Sequence, residues 1–437
     1  MKRRHLLLLL LLAATTAAGV SLEDCVRTAL SENPDVEAAA ARIEAARAAA
    51  RQARSGGWPM LSVSAGHVRT DNPPQAFMMD LNQRALNMMS PSFNPNDPDD
   101  TGNTRLTLGL KYRLLDFGAR SAGVAGADAM QAAREAMAAA VRNQLAHEVT
   151  AAYYGVLQAR EMAAVQAEQV RSLEESLRVA RVRLESGAAV RVDVLSLEVR
   201  LAQAQEDAIR ARNAVALAVA ALNTAIGRDL APPEGPDAAP GEEATERPCE
   251  ADERCLVAHP TVRAAQAVVV ARRAALRGAR AAFRPTLSLF ASADWDSADT
   301  RDFEQSYLAG VAAEWSLFEG GRRTAAEAEA RAELAAAEAE ARRALDHLRL
   351  DLRQAVLRAK EARERRVVAA QAEASAAEAL RLTKARYEQG AAELAELLNA
   401  EAGWLAIRAR RIAAVYDHRV ALSNLDRARG VRGTPAP

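Results

Sequence analysis

The 437-residue sequence predicts an α+β membrane protein in which a block of two β-strands and a long helical hairpin occurs twice. Two observations lead to this fold class. The same order of motifs appears in both halves of the chain. Each half also contains a stretch of about sixty residues, rich in Ala, Leu, Arg and Glu, that would form a helix on the order of 90–100 Å long. Helices of that length are too long for an ordinary globular domain and are expected to pack side by side.

The composition favours closely packed helices and excludes one class of partner. Half of the residues are hydrophobic but only 4% are aromatic, so most of the apolar bulk is Ala, Leu and Val. Lys plus Arg and Asp plus Glu both total 57, which gives no net charge. A nucleic-acid-binding protein is expected to carry a basic excess, and so no nucleic acid partner is predicted.

Residues 1–19 are predicted to be a cleavable signal peptide. Met1–His5 is basic, Leu6–Leu12 is an unbroken leucine run, and small residues follow up to Gly19. The apolar run is shorter than the ~20 residues that a membrane-spanning helix needs, which favours export over anchoring. No later segment is long and apolar enough for a transmembrane helix, so insertion into a membrane would have to use strands.

The chain carries a tandem duplication. Pro34 and Pro260 lie 226 positions apart, as do Pro59 and Pro285 (260 minus 34, and 285 minus 59). Further on, Arg183–Gly187 matches Arg386–Gly390 at an offset of 203. The predicted organisation is a first repeat at 20–227, a Pro/Gly/Glu-rich linker at 228–250, a second repeat at 251–430 and a tail at 431–437. For Cys249 and Cys255, beside the linker, a disulfide and two free thiols both remain possible.

Each repeat is predicted to run helix, strand, loop, strand and helical hairpin. The first helix covers about 21–55, and its main run begins at Pro34. The strands are predicted at about 60–68, 104–115, 286–295 and 306–317. The hairpins are predicted at about 121–226 and 322–429, each turning at a glycine. The long loop at 67–103 contains paired methionines, which favour apolar packing over a site for soft metal ions.

The strands alternate between apolar and polar residues over about ten positions, which is typical of outer-membrane barrels. A half-buried soluble sheet would show the same alternation. Four strands cannot close a barrel, because the smallest common membrane barrels have ~8 strands. Lipid also does not tolerate an open sheet edge. If the strands span a membrane, three chains would supply twelve. The residues then predicted to line the pore are Ser62, Thr107, Lys111, Arg113, Ser288 and Glu314.

The ordered motifs resemble the TolC-like outer-membrane efflux family. The most recognisable are Leu317–Arg322, at the junction of strand and long helix, and the two hairpin turns. The resemblance covers nearly the whole mature chain. It implies a homotrimer with a twelve-stranded barrel in outer-membrane lipid that continues into a periplasmic α-helical barrel. It further implies a periplasmic adaptor and an inner-membrane transporter as partners in tripartite efflux or type I secretion.

The resemblance also implies which residues at the periplasmic tip form the gate and which bind the adaptor. The gate positions hold Asp193, Tyr387, Glu396 and Asn399. The positions where an adaptor would dock hold Arg183, Leu184, Gly187, Arg386, Tyr387 and Gly390. A family arginine and a family threonine are replaced by Ala392 and Val192, so Arg191 or Arg386 would have to restore the polar link. Turn chemistry alone is the alternative role of the glycines, and a solvated helix face that of Glu396.

The alternatives to a channel are a non-channel periplasmic adaptor or scaffold and, more remotely, an enzyme. An adaptor would share the export signal and the Ala-rich hairpins, but it would not repeat the strand pair in each half. Neither a catalytic triad nor a phosphate-binding loop is recognisable, and His147–Glu148 lacks the second histidine of a zinc-protease pair. No cofactor and no metal ion are predicted.

Overall fold

The computed structural model describes residues 21–90, 93–187, 190–227 and 253–430. The predicted signal peptide, the linker at 228–250 and the tail at 431–437 lie outside the described residues. The disulfide considered for Cys249 and Cys255 falls outside them as well, because it requires Cys249. Nine helices are present in the described part: α1 Leu22–Glu32, α2 Pro34–Ser55, α3 Pro73–Asn82, α4 Ala119–Glu185, α5 Arg191–Ile226, α6 Glu253–Ala258, α7 Pro260–Ala281, α8 Arg322–Glu388 and α9 Leu394–Arg429. The strands there are β1 Met60–Thr70, β2 Thr101–Leu115, β3 Thr286–Ser297 and β4 Glu304–Glu314.

The four strands form one antiparallel sheet in the order β1-β2-β3-β4. It belongs to a compact unit that contains Arg42–Arg134 and Ala264–Arg342, and the rest of the described chain forms a second, helical unit. Among the described residues, no helix is both long enough and apolar enough to cross a membrane.

The structure differs from the sequence prediction in three elements. β4 ends at Glu314 rather than at 317, because Glu314 lies opposite Thr286, the first residue of its partner β3, and β3 offers no residue beyond that point. The indole of Trp315 instead donates a hydrogen bond of 3.1 Å to the carbonyl of Phe283. The loop between β1 and β2 contains the helix α3, which was not predicted. The expected single helix over 21–55 is two helices, since the chain becomes extended at Asn33.

In the sheet-bearing unit, small residues let the helices approach closely. A Cβ atom placed on Gly126 of α4 would lie 3.7 Å from the carbonyl oxygen of Ala271 and from the Cβ of Ala274 in α7. Gly278 of α7 faces Ala122 of α4 at the same distance. The low aromatic content of the sequence therefore corresponds to helix contacts made by alanine and glycine.

In the helical unit, a larger apolar core joins α1 and α2 to α4, α5 and α9. Val149, Val156 and Leu222 are at most 1% exposed in it. Tyr416 of α9 is equally buried, and its hydroxyl donates a hydrogen bond of 2.6 Å to Glu161 of α4. Burial raises the pKa of the Tyr416 phenol, and this hydrogen bond adds to the effect, so the group stays protonated and remains a donor.

The duplication also appears in a contact between the beginning and the end of each repeat. The last long helix of each repeat ends in a left-handed glycine, Gly227 after α5 and Gly430 after α9. Gly227 packs against Asn33 and Pro34 at the start of α2, and Gly430 packs in the same way against His259 and Pro260 at the start of α7. A proline at the first helical position and a glycine after the last one thus meet in both copies.

We predict that Gly227→Ala lowers the stability of the protein. Its φ of +82° costs a side-chain-bearing residue about 1–2 kcal/mol, and the new Cβ would lie only 2.9 Å from Asn33 Cα and Pro34 Cδ. The measurement is the midpoint of thermal unfolding in detergent, followed by circular dichroism. Gly155→Ala, within α4 and with open space around its Cα, is the control and should leave the midpoint unchanged or raise it. Equal midpoints for wild type and Gly227→Ala would contradict the prediction.

Asn33 and His259 cap the helices that follow them, but with different side chains. Oδ1 of Asn33 accepts a hydrogen bond of 2.8 Å from the Asp35 amide, and Nδ1 of His259 accepts one of 3.3 Å from the Thr261 amide. Only neutral histidine can accept in this way. Burial lowers the pKa of His259, while its hydrogen bond to the Arg427 carbonyl acts in the opposite direction.

We predict that His259 makes stability depend on pH. Because its folded pKa lies below the unfolded value of about 6.5, its contribution is complete above that pH and is lost as the pH falls toward the folded pKa. His259→Asn copies the cap of the first repeat and should reduce the drop in unfolding midpoint between neutral and mildly acidic buffer. His347→Asn, on an exposed position of α8, is the control. An unchanged drop in His259→Asn would show that other groups cause it.

Candidate functional site

The strand register places all six residues predicted to line a pore on one face of the sheet. Ser62 lies opposite Gly109, Arg113 opposite Ser288, and Glu314 opposite Thr286. Thr107 and Lys111 precede Arg113 by six and two positions along β2, both even numbers, and therefore share this side. We call it the polar face. Its other polar members include Ser64, Asn103, Arg105, Ser292, Asp294, Asp296, Glu304 and Ser306.

A few apolar residues also lie on the polar face. Phe290 is one of them, and its ring lies across Gly310 of the neighbouring strand. A Cβ atom at position 310 would lie 2.7 Å from Cζ of that ring, so any other residue there would have to displace the ring. Glycine at this position leaves room for a large aromatic side chain on the polar face.

The opposite face is apolar and largely uncovered in the single chain. Leu61, Val63 and Val311 are 58–68% exposed, and Tyr307 is 84% exposed. Contiguous apolar surface of this kind marks a site of contact with protein or lipid. The sheet therefore presents two faces of opposite polarity.

The two hairpin turns have the same backbone. Gly187 follows α4 and Gly390 follows α8, both with φ of +75°. The amide of Gly187 donates to the Leu184 carbonyl at 3.0 Å, and that of Gly390 donates to the Tyr387 carbonyl at 3.1 Å. A Cβ would meet nothing within 4 Å at either position, so both turns are open to the surroundings.

At the second turn, Glu396 is paired within its own chain. Nη1 of Arg386 lies 2.7 Å from Oε1 of Glu396, and Nη2 donates to the carbonyl of Ala391 at 3.1 Å. Both side chains are about half exposed, so the pair contributes at most about 1 kcal/mol to stability. Asn399 lies one helical turn beyond Glu396 and is exposed. The sequence predicted Arg386 only as a docking residue or as a replacement for the missing family arginine. In the structure it is the cation that pairs with the Glu396 carboxylate.

At the first turn, the corresponding arginine contacts the other hairpin instead. The guanidinium of Arg183 lies 5.2 Å from the ring centre of Tyr387, a cation–π contact. Leu184 and Tyr387 are both partly buried against an apolar cluster that includes Leu197 and Leu394. Within one chain, then, the two hairpin tips are joined by packing and by this stack.

The structure brings some predicted residues together and leaves others apart. Glu396 and Arg386 are in contact, as are Arg183 and Tyr387. Asp193 occupies the same position in the first repeat that Glu396 occupies in the second, in the first turn of its helix. Val192, which replaces a polar family residue, is 68% exposed. Sequence reasoning missed both arginine contacts, although the offset of 203 between the turns had aligned the two arginines.

Known proteins share this architecture. The sequence profile of the family described as outer membrane efflux protein matches residues 25–228 and 253–431. Protein CyaE of Bordetella pertussis is 30% identical over 415 residues, covering 90% of this chain and 80% of that protein. A membrane protein from Pseudomonas aeruginosa superposes with a TM-score of 0.83 at 26% identity, over 94% of this chain and 91% of that one. The CmeC outer membrane channel of Campylobacter jejuni, 19% identical, gives a TM-score of 0.84 over 94% and 85%.

Duplicated helical hairpins joined to a two-faced, four-stranded sheet define the fold of TolC-like outer-membrane channels. The chain belongs to the outer membrane efflux protein family. It is an outer-membrane channel protein whose helices extend into the periplasm, and the members of its family are channels rather than enzymes. This membership excludes the alternative of a non-channel periplasmic adaptor or scaffold.

Proposed function

We propose that the protein is the passive, trimeric exit channel of a tripartite efflux or type I secretion system. The observation that supports this most directly is the open sheet. In the described chain, β1 and β4 each have a single hydrogen-bonded neighbour, β2 and β3 respectively. Lipid does not tolerate such edges, and pairing β1 of one copy with β4 of the next would satisfy both. Three copies would close a barrel of twelve strands.

The two faces of the sheet then have distinct roles. The polar face, with Ser62, Lys111 and Ser288, would line a water-filled pore. The apolar face, with Val63, Tyr307 and Val311, would contact the lipid of the outer membrane. A sheet curved in the opposite sense would place charged residues such as Arg113 in lipid, which costs about 2–4 kcal/mol near the bilayer midplane.

The hairpin tips would carry the gate and the docking surface. Three copies of Glu396, one from each chain, would surround the periplasmic entrance together with Asn399, Asp193 and Tyr387. The exposed turns at Gly187 and Gly390 would receive the hairpins of a periplasmic adaptor, which connects the channel to an inner-membrane transporter. That transporter supplies the driving force, and the cargo would be small molecules, metal ions or polypeptides.

The channel proposal predicts discrete conductance from a trimer. The experiment is planar-bilayer recording of the detergent-purified mature protein, with the mass of the same sample measured by light scattering corrected for detergent. We expect channels that are closed for most of the time and a protein mass of three chains. A sample of monomeric mass without conductance would contradict both the trimer and the pore.

The gate proposal predicts that Arg386, by pairing with Glu396, weakens the attraction of the Glu396 carboxylate for divalent cations in the channel. Arg386→Gln leaves the Glu396 carboxylate without its partner at 2.7 Å, so block of the open channel by divalent cations should strengthen. Glu396→Gln should weaken the same block. The measurement is the blocking concentration of Mg²⁺ in bilayer recordings.

Arg381→Gln is the matched control for Arg386→Gln. It removes the same charge from the same helix, but Arg381 pairs with Glu378 away from the turn, at 2.7 Å. We expect Arg381→Gln to leave the block unchanged. If all three variants behave like wild type, the constriction lies elsewhere in the channel.

A further inference from the structure

The segment 71–90, which follows β1 and contains α3, folds onto the polar face of the sheet. Gln83, at the end of α3, donates through Nε2 to the Gly102 carbonyl at 2.8 Å and to Oδ1 of Asn103 at 2.9 Å. The next residue, Arg84, reaches Glu304 at 3.1 Å. Asn103 belongs to β2 and Glu304 to β4, and the side chains of both lie on the polar face. The segment therefore crosses this face from β2 to β4.

Three residues of the sheet are buried, Asn103, Asp296 and Ser297, and the first two lie on the polar face beneath the segment. Asp296 of β3 is 1% exposed and Asn103 is 4% exposed, whereas Ser62 and Lys111 on the same face are exposed. A buried carboxylate requires partners. Asp296 has them, since Nδ2 of Asn103 donates to it at 2.5 Å and Nε of Arg105 at 2.7 Å. Gln83, Asn103, Asp296 and Arg105 form one continuous chain of hydrogen bonds.

The backbone of the segment is held in a specific shape at this contact. Arg84 has φ of +52°, a left-handed conformation that is unfavourable for residues with a side chain. Such a conformation persists where surrounding contacts fix it. Here those contacts are the hydrogen bonds of Gln83 and the ion pair of Arg84 with Glu304.

We propose that three copies of this segment narrow the extracellular mouth of the pore, each held inward by a polar latch. The latch consists of the hydrogen bonds from Gln83 to Gly102 and Asn103, and of the ion pair between Arg84 and Glu304. The proposal rests on the proposed trimeric pore, because only there does the polar face become the inner wall. It adds a second constriction, separate from the hairpin tips, that depends on hydrogen bonds and one exposed ion pair. Release of the latch would widen the mouth.

The test measures access to a cysteine placed below the latch. Ser64→Cys is nearly isosteric, exposed, and on the polar face opposite Thr107. Intact cells that express Ser64→Cys are treated from outside with a small membrane-impermeant maleimide and, separately, with a maleimide that carries a long polyethylene glycol chain. The parent protein without Ser64→Cys provides the blank.

Gln83→Ala combined with Arg84→Ala should increase the labelling rate of the large reagent by about tenfold, because both contacts of the latch are lost. The small reagent should label all variants alike, which also reports correct assembly. Arg69→Ala is the matched control. It breaks the Arg69–Asp100 pair of 2.6 Å at the neighbouring end of the same loop, but Arg69 lies on the opposite face of the sheet. Its labelling should equal that of Ser64→Cys alone.

Equal labelling by the large reagent with and without the latch substitutions would overturn the proposed constriction and leave the pore intact. Absence of labelling by the small reagent in every variant would show that the polar face does not line a pore, and the latch proposal would fail with it. If the double variant does not assemble, Glu304→Gln removes the ion pair from the strand side and should increase the labelling rate in the same direction. No change in Glu304→Gln would then count against the latch.

Discussion

The open hydrogen-bonding edges of β1 and β4 are the constraint on which the architecture depends. A four-stranded sheet leaves a row of unpaired N–H and C=O groups along each outer strand. In water such groups are solvated, but in lipid each one costs several kcal/mol. The edges of one chain are complementary, since both outer strands are about equally long and run antiparallel to their neighbours. The proposed ring of identical copies would satisfy this need, because it pairs each β1 with the β4 of a neighbouring copy.

A second constraint comes from the two 67-residue helices, α4 and α8. A helix of that length cannot be stabilised at its ends alone and has to be packed along its sides. Ala and Gly at the contacts between α4 and α7 let the helix axes come close, and the low aromatic content follows from this. The repeats are also tied at their ends, where a left-handed glycine meets a capped, proline-initiated helix. Stability thus rests on many small contacts together with a few fixed backbone positions.

Features with a regular period could be predicted from the sequence, and features that depend on contacts across the chain could not. The alternation along Leu106–Leu114 defined the two faces of β2, and the register confirms that the six chosen polar residues share one of them. The extra helix α3 was missed because its ten residues lie in a Pro-, Met- and Asn-rich loop with little periodicity. The environment of Asp296 depends on Gln83, more than two hundred residues earlier, and no local pattern connects them. The early end of β4 depends on where its partner β3 begins, at Thr286.

The hairpin turns show how far a duplication can be used to infer roles. Arg183 and Arg386 occupy equivalent positions after equivalent helices, and their turns share the same glycine geometry. Arg386 nevertheless pairs with the carboxylate of Glu396, while Arg183 stacks on Tyr387 of the other hairpin. The difference follows from the neighbours, because the second turn offers Tyr387 where the first has Leu184, and an aromatic ring attracts a cation whereas leucine does not. Once two copies lie side by side in one chain, each becomes part of the other's surroundings. Equivalent residues then acquire different partners, so a charge can be neutralised at one turn while the corresponding arginine joins the two hairpins at the other.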